Sequence, residues 1–356
     1  MTSVRRRFFF KVACFYFRPY LFKKTTEEDA FMQELIRVES LCKSYPVGST
    51  LWGRATWSQV VEDVSFIVRT GETLGVVGES GSGKSTIGRC LLKLTDPTSG
   101  RIFFDGEEIT ALDNKAMRPF RRRMQIVFQD PFSSLNPRQT VDAMFREIFT
   151  VHATASGTEA TDKIEELLKT VGLDPSQRFC FPHEFSGGQR QRIGIARALS
   201  VRPQFIVCDE PVSALDVSVQ AQIIELLMTL QETRNLSYLF IGHDLAVVRH
   251  IADRIAVLYR GQMMEMGPSD VLFDQPLHPY TQALIASVPE PDPSKPVKPV
   301  AVKGDIADSS RPSKGCLFQA RCPWVEAVCR DETPRWRSCG QERFVRCHKV
   351  TEDNPH

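Results

Sequence analysis

GESGSGKS, residues 78–85, fits the phosphate-loop pattern G-x-x-x-x-G-K-[ST], and this octapeptide decides the fold of the chain. A short apolar strand, 73–77, is predicted before it, and a helix from Lys84 to Leu94 after it. Glycine lets backbone N–H groups close around phosphate oxygens, Lys84 supplies positive charge, and the Ser85 hydroxyl suits Mg²⁺. The predicted nucleotide-binding residues are Gly78, Glu79, Ser80, Gly81, Ser82, Gly83, Lys84, Ser85 and Thr86.

Composition places the chain among globular proteins and bounds its size. Its 356 residues, 42% hydrophobic and 25% charged, are enough for about two domains with a sizeable core. The net charge is +2, but the first 24 residues hold seven cations and no acid, so the remaining chain is mildly acidic. A mildly acidic body argues against a nucleic-acid binder, and no apolar run clearly spans a bilayer.

A second apolar strand ends in two acids, because FIVC at residues 205–208 is followed by Asp209 and Glu210. Ligands of α/β sheets bind at the carboxyl ends of the strands, where these acids are predicted to lie. We expect Asp209 to hold Mg²⁺, and Glu210 to orient or deprotonate an attacking water.

A third motif, SGGQRQR at residues 186–192, opens a predicted helix over 193–199. Ser186 is a favourable N-cap, and the helix start offers free N–H groups to an anion. The motif precedes the acidic strand end by 23 residues, and with this order of motifs the chain resembles an ATP-binding-cassette (ABC) ATPase. The residues that match the family signature are Ser186, Gly187, Gly188 and Gln189.

The resemblance extends over most of the chain, from about residue 35 to residue 348, and implies further site residues. Tyr45 matches the aromatic residue that stacks on adenine. Gln129 matches the glutamine that touches Mg²⁺ and the water, and His243 matches the switch histidine near the γ-phosphate. Asp216, in SALD at 213–216, matches the D-loop aspartate.

Two positions depart from the family pattern. Phe185 stands where leucine is usual, and because it is also apolar we expect little consequence. Gly242 replaces a more usual serine before His243, which puts the geometry of that loop in doubt, though not the histidine itself.

The resemblance implies an α/β fold, built as a P-loop ABC ATPase with a RecA-like core, an antiparallel β subdomain and an α-helical subdomain at about 130–203. A small Cys-rich C-terminal extension follows. The predicted domains are a basic aromatic extension (1–31), the ABC ATPase domain (32–270) and the C-terminal extension (271–356).

The family also implies partners, because two cassettes face head to tail and each ATP lies between one phosphate loop and the signature of the other chain. This sequence holds a single set of motifs, so it needs a second ABC ATPase subunit, in a homo- or heterodimer. We further expect two integral-membrane permease subunits, an extracytoplasmic solute-binding protein that acts indirectly, and no nucleic acid. The expected location is peripheral, at the cytoplasmic face of the inner membrane.

The tail narrows the class of solute that the protein is expected to transport. HPYTQAL at 278–284 and GCLFQARCP at 315–323 are similar to the C-terminal extension of oligopeptide/dipeptide importer ATPases. This resemblance implies that the chain hydrolyses ATP to drive the import of di- or oligopeptides. Nickel and glutathione importers share the same layout, so both remain as alternative cargoes.

Five of the ten cysteines crowd into this tail, and four of them have the spacing C-x5-C-x6-C-x17-C. Zinc sites usually pair cysteines more closely, whereas four thiolates with wider gaps suit a [4Fe–4S] cluster at least as well. The resemblance implies that cluster, with zinc or no metal as the alternatives. Cys339 lies outside the pattern as a competing thiol, and the predicted ligands are Cys316, Cys322, Cys329 and Cys347.

The basic aromatic segment 5–22 suits either a membrane-surface anchor or a disordered extension. Prolines between 289 and 299 predict an extended linker.

Other classes of protein fit less well. A soluble ABC ATPase acting on DNA or ribosomes usually carries two cassettes or a coiled-coil insertion, and an exporter ATPase lacks the proline linker and the Cys tail. A metal-sensing regulatory subunit remains open.

Overall fold

The structure is a computed structural model that describes residues 33–49, 55–288, 312 and 314–350. The predictions for residues 1–31 and for the proline-rich stretch therefore fall outside the described residues. The strands are β1 Glu34–Ser49, β2 Ala55–Arg69, β3 Thr73–Val77, β4 Ser99–Phe104, β5 Glu107–Glu108, β6 Met124–Val127, β7 Phe205–Asp209, β8 Ser237–Ile241, β9 Arg254–Tyr259, β10 Gln262–Pro268, β11 Arg337–Ser338 and β12 Phe344–Val345. The α-helices are α1 Lys84–Leu91, α2 Arg118–Arg123, α3 Pro131–Ser134, α4 Val141–His152, α5 Gly157–Thr170, α6 Gly187–Leu199, α7 Val217–Arg234, α8 Leu245–Ile251, α9 Ser269–Asp274, α10 Pro279–Ala286 and α11 Val328–Asp331.

Two sheets organise these elements. The smaller sheet is antiparallel, with the strand order β2-β1-β4-β5, and the larger has the order β11-β12-β10-β9-β3-β8-β7-β6. Within the larger sheet, β9, β3, β8, β7 and β6 are parallel neighbours. Strands that alternate with helices favour this parallel pairing, and the predicted α/β fold with an antiparallel subdomain is confirmed.

The central strands have the composition of a sheet that is covered on both faces. TLGVV in β3, FIVCD in β7 and SYLFI in β8 are buried at every position. Near-continuous apolar runs of this kind are typical of parallel strands packed between helices. The polar phosphate loop and acids therefore lie at strand ends, where the apolar run stops.

The helical segment differs in detail from its prediction. The sequence predicts helical structure over 140–180, with an apolar face formed by Ile164, Leu167, Leu168 and Val171 and with Gly172 as the C-cap. These four residues are buried, and Gly172 follows α5 with a φ of +73°. The region 140–180 is not one continuous helix, because α4 ends at His152 in the left-handed residue Ala153 and a 3₁₀ turn occupies Pro175–Phe179. The helix after the phosphate loop also ends at Leu91, three residues earlier than expected.

The C-terminal residues join the main sheet. Strand β12 pairs antiparallel with β10, and β11 pairs with β12, so two tail strands extend the edge of the large sheet. The buried carboxylate of Glu265 on β10 accepts hydrogen bonds from the backbone N–H groups of Leu277 and His278, at 2.9 and 2.8 Å. The tail is thus attached by backbone pairing as well as by side chains. Within the described residues, no helix combines the length and the hydropathy needed to cross a membrane.

Candidate functional site

Four parallel strands bring the predicted site residues to one edge of the large sheet. The phosphate loop follows β3, and Gln129 comes two residues after β6. Asp209 ends β7, Glu210 follows it directly, and His243 comes two residues after β8. Because parallel strands present their carboxyl ends at the same edge, residues far apart in sequence meet there. The hydrogen bonds between these groups show that they do.

The phosphate loop bends through glycines that other residues would strain. Gly78, Gly81 and Gly83 have φ values of +149°, +76° and +106°, which glycine adopts without steric cost. A Cβ atom at Gly78 would lie 2.1 Å from the carbonyl oxygen of Leu258, so that position has neither the conformation nor the space for a side chain.

Lys84 closes the loop on itself. Its ammonium group donates to the carbonyl oxygens of Gly78 at 2.7 Å and Glu79 at 2.9 Å. The side chain is buried, and burial lowers the pKa of Lys84 although three nearby carboxylates act in the opposite direction. A cation in such a position gains from an anionic ligand that restores its lost solvation.

Ser85 and Asp209 form the second part of the site. The Ser85 hydroxyl donates to Asp209 Oδ1 at 2.6 Å, across 124 residues of sequence. Burial raises the pKa of the Asp209 carboxyl, and the Ser85 hydrogen bond and Arg89 lower it. Hydroxyl and carboxylate oxygens are the ligands that Mg²⁺ prefers, so this pair fits the predicted metal.

Glu210 is the centre of a three-residue cluster. Its Oε2 accepts a hydrogen bond from Gln129 Nε2 at 2.9 Å and lies 3.2 Å from His243 Nδ1. Glu210 itself has a φ of +47°, a conformation that costs energy for a residue with a side chain and often occurs at functional sites. Its backbone N–H donates to the Ile241 carbonyl at 3.0 Å, which fixes the carboxylate between β7 and β8.

The signature motif begins α6 with a capping box. The Ser186 hydroxyl accepts from the Gln189 N–H at 3.3 Å, and Gln189 Oε1 accepts from the Ser186 N–H at 3.0 Å. A Cβ atom at Gly188 would lie 2.5 Å from a methyl group of Val219, and one at Gly187 would lie 3.4 Å from Leu215. The hydrogen bonds of the described residues 186–189 are local to the start of α6, and none of them reaches the phosphate loop.

Two other predicted residues lie on different elements. Asp216 is the N-cap of α7, where Oδ1 accepts from the Ser218 hydroxyl at 2.7 Å and the Val219 N–H at 3.1 Å. Tyr45 lies on β1 of the antiparallel sheet, with the ammonium of Lys43 4.7 Å from its ring centroid. Neither residue is linked to the Glu210 cluster by these contacts.

The tail contains a separate cluster of thiols. Among the residues that line one small cavity are Phe318, Trp324 and the four cysteines with the predicted spacing, Cys316, Cys322, Cys329 and Cys347. All four are free thiols, and the N–H of Cys316 donates to the carbonyl of Cys329 at 2.8 Å. The fifth tail cysteine, Cys339, packs with Val345 and is not among the residues that line this cavity.

The described residues contain no group of three or more His, Cys, Asp or Glu side chains arranged to hold a single metal ion. Burial raises the pKa of the Cys316 thiol to about 12, and it also raises the pKa of Cys322 and Cys347. Thiols of this kind remain protonated at neutral pH unless a cationic partner stabilises the thiolate.

One part of the site was missed by reasoning from the sequence. The phosphate-loop residue Glu79 accepts from Arg321 Nη1 through both carboxylate oxygens, at 3.0 and 2.9 Å. Its backbone N–H donates to the Tyr280 hydroxyl at 2.9 Å. Both partners come from the tail, more than 200 residues away in sequence, and no local pattern signals such a contact.

With this geometry established, comparison with known proteins identifies the family. The family model "ABC transporter" matches residues 61–213, and the model "Oligopeptide/dipeptide transporter, C-terminal region" matches residues 264–329. The chain is 48% identical over 323 residues to the oligopeptide transport ATP-binding protein AppF of Bacillus subtilis, covering 90% of this chain and 98% of the relative. The chain belongs to the ABC transporter family. It is the ATP-hydrolysing type of subunit in that family, with hydrolysis coupled to transport.

Other relatives of this ABC ATPase agree with that assignment. The probable peptide ABC transporter ATP-binding protein y4tS of Sinorhizobium fredii is 49% identical over 316 residues, covering 88% of this chain and 89% of the relative. Among solved structures, the ATP-binding cassette MJ0796 in a dimeric post-hydrolysis state bound to ADP and Pi has a TM-score of 0.59. It is 30% identical, and the match covers 66% of this chain and 98% of that chain. Cassettes of this kind work as dimers with membrane permeases in importers.

Proposed function

We propose that this ABC ATPase drives the import of di- or oligopeptides. The observation that carries the cargo assignment is the match of residues 264–329 to the C-terminal region of oligopeptide/dipeptide transporters. Relatives with 48–49% identity that are named as oligopeptide or peptide transport proteins support the same class of cargo. Nickel and glutathione, which share the layout of the tail, are the competing cargoes.

In the proposed reaction, the phosphate loop and Lys84 bind the triphosphate of ATP. Ser85 and Asp209, with Gln129, would hold Mg²⁺, which would neutralise negative charge on the triphosphate. Glu210 takes the proton from the attacking water, since its carboxylate already lies within hydrogen-bond reach of two positioning groups.

Gln129 and His243 both contact Oε2 of the Glu210 carboxylate. His243 is 58% exposed, so a γ-phosphate placed at this edge of the sheet can be reached by its imidazole. We propose that Tyr45 stacks on the adenine of the same nucleotide. The assignments of Gln129 and His243 rest on the family pattern and on their contacts with Glu210, and the assignment of Tyr45 rests on the family pattern alone.

We propose that the signature residues act on a nucleotide held by a second subunit. Ser186 and Gln189 are hydrogen-bonded to each other at the start of α6, with Gly187 and Gly188 between them. Asp216 caps the start of a separate helix, α7. A head-to-tail pair of cassettes completes two sites at once. ATP binding closes the pair, hydrolysis reopens it, and the motion is transmitted to the permease.

The proposed assembly contains two ATPase subunits, homo- or heterodimeric, on two integral-membrane permease subunits. An extracytoplasmic solute-binding protein delivers the peptide. The ATPase is peripheral, at the cytoplasmic face of the inner membrane, and no nucleic acid takes part.

The cargo is tested by uptake in the cell that encodes the protein. With Glu210→Gln introduced, labelled dipeptides, longer oligopeptides, glutathione and Ni²⁺ are followed in parallel. We expect peptide uptake alone to be lost. An exposed residue with the same change, Glu232→Gln, is the matched control. Loss of glutathione or Ni²⁺ uptake with peptide uptake intact would refute the peptide assignment and leave the ATPase assignment in place.

We propose further that the cavity lined by Cys316, Cys322, Cys329 and Cys347 holds a [4Fe–4S] cluster with a structural role. A tetrahedral zinc site needs sulfur atoms about 3.8 Å apart, given Zn–S bonds of about 2.3 Å. In a cubane cluster each thiolate binds a different iron, so the sulfur atoms lie farther apart. The proposal is supported by four free cysteines that line one cavity, together with the wide spacing of these cysteines in the sequence.

Purification without oxygen tests the cluster. We expect a brown protein with about four iron and four sulfide per chain, which are lost in Cys329→Ser. Cys339→Ser, in the fifth tail cysteine, should retain both. A colourless, iron-free wild-type protein would contradict the cluster, and bound zinc would favour the alternative metal.

A further inference from the structure

Two side chains of the tail, Arg321 and Tyr280, contact the phosphate loop at Glu79. The Glu79 carboxylate is held by Arg321, and the Glu79 backbone N–H is held by the Tyr280 hydroxyl. The two side chains of the ion pair are mostly buried, with 12% of Arg321 and 17% of Glu79 exposed. Both polar groups of a single loop residue are therefore fixed by a segment outside the ATPase motifs.

Aromatic packing around Tyr280 and Arg321 supports their contacts with Glu79. Tyr280 is buried in α10, and its ring lies 4.7 Å from that of Tyr259 and 5.4 Å from that of Phe318. The guanidinium of Arg321 lies 5.9 and 5.8 Å from the centroids of the same two rings. Tyr259 ends strand β9, the parallel neighbour of β3 that leads into the loop. Tyr280 and Arg321 therefore pack on the edge of the sheet from which the phosphate loop emerges.

Because Glu79 lies in the phosphate loop, its contacts with Arg321 and Tyr280 affect nucleotide binding. Its carbonyl accepts from Lys84, the cation of the loop, so a shift of residue 79 moves the partner of that lysine. Its carboxylate is an anion inside a loop that must bind the anionic triphosphate. An unpaired carboxylate there would repel the ligand, and the Arg321 guanidinium offsets that charge.

We propose that Arg321 and Tyr280 are positioning residues of the ATP site, which hold Glu79 of the phosphate loop in place and neutralise its charge. This inference rests on the proposed role of the loop in binding ATP. The C-terminal segment is then part of the nucleotide site of its own chain, in addition to any role of its cysteines. Removing the contacts of Arg321 and Tyr280 with Glu79 weakens ATP binding. The chemical step, which takes place at Glu210, is left nearly unchanged.

The experiment measures equilibrium binding of a fluorescent ATP analogue with Mg²⁺ to the full chain, together with KM and kcat for ATP hydrolysis. For Arg321→Met we expect the dissociation constant and KM to rise about tenfold, with kcat within about twofold of wild type. Arg321→Lys, which keeps the charge, should recover part of the affinity. Arg330→Met, at an exposed arginine of the same segment, is the matched control and should bind like wild type.

A double variant separates positioning from a general effect on folding. If Arg321 acts by neutralising Glu79, then Glu79→Gln added to Arg321→Met should restore most of the lost affinity, because the repelling charge is gone. A defect caused by misfolding of the tail would not be restored. Tyr280→Phe removes only the acceptor for the Glu79 N–H, and we expect a smaller loss, about threefold.

Three outcomes would overturn the inference. Wild-type affinity in Arg321→Met would show that the ion pair has no part in binding. Weak binding that neither Arg321→Lys nor Glu79→Gln improves would show that Arg321 serves only the fold of the tail. A fall in kcat with KM unchanged would place the effect on the chemical step. A wild-type chain that fails to bind the ATP analogue would instead refute the proposed function itself.

Discussion

Replacing Glu210 by glutamine tests the proposed chemistry most directly. Glutamine has nearly the same shape, and its Oε1 can accept the hydrogen bonds that Gln129 and His243 now direct at the carboxylate. The amide cannot take a proton from water at neutral pH. The substitution therefore removes the basicity of residue 210 while it leaves the surrounding contacts in place.

The expected magnitude follows from that single loss. A positioned general base contributes about 10²- to 10⁴-fold to a rate, so we expect kcat to fall by this factor. The fall corresponds to a rise of about 3–5 kcal/mol in the activation free energy. Glu210 accepts no hydrogen bond from Lys84, whose ammonium binds the carbonyls of Gly78 and Glu79. ATP affinity should therefore remain within about threefold of wild type.

The assay is phosphate release by the chain with its partner subunits, at saturating ATP, beside a binding titration on the same preparation. Glu232→Gln, on the exposed side of α7, is the control for the loss of one negative charge. Turnover within about tenfold of wild type would refute Glu210 as the base. Loss of ATP binding would refute it differently, by showing that the carboxylate organises the loop.

Two further perturbations test the loop and the fold. Gly78→Ala should weaken ATP binding about tenfold or more, because its Cβ would lie 2.1 Å from a backbone oxygen. Gly81→Ala should cost less in the same titration, because no atom lies within 4 Å of its Cβ and only the φ of +76° strains the alanine. Arg254→Met leaves the buried carboxylate of Glu72 without its 2.9 Å partner and should lower the free energy of unfolding by about 3–5 kcal/mol in urea. Arg101→Met, at an exposed ion pair, should leave the urea midpoint unchanged, and equal effects of the two arginine variants would contradict this reasoning.

The sequence by itself determined the type of fold and the chemistry of the ATP site. Its motifs are local, since a glycine loop, an acidic strand end and a capped helix each depend on a few adjacent residues. The capping box of Ser186 and Gln189 is an example, because its donors and acceptors are three residues apart. The convergence of β3, β6, β7 and β8 at one edge also followed, since parallel strands leave no other arrangement of their carboxyl ends.

Helix ends were less predictable, because they depend on what surrounds the helix. The predicted helical stretch over 140–180 is broken after His152, where Ala153 takes a left-handed conformation that alanine does not prefer. Here the packing of α4 and α5 through a common apolar cluster determines the chain path, and intrinsic propensity does not.

Only the tertiary structure revealed how the tail meets the site. Residues 337–345 add two strands to the edge of the large sheet, and Arg321 and Tyr280 reach Glu79 across more than 200 residues of sequence. An ion pair between distant residues has no period, spacing or composition that a sequence can display. It exists because β9 pairs with β3, so that Tyr259, on which Tyr280 and Phe318 pack, ends at the same edge of the sheet as the phosphate loop. That arrangement is decided by packing over the whole chain.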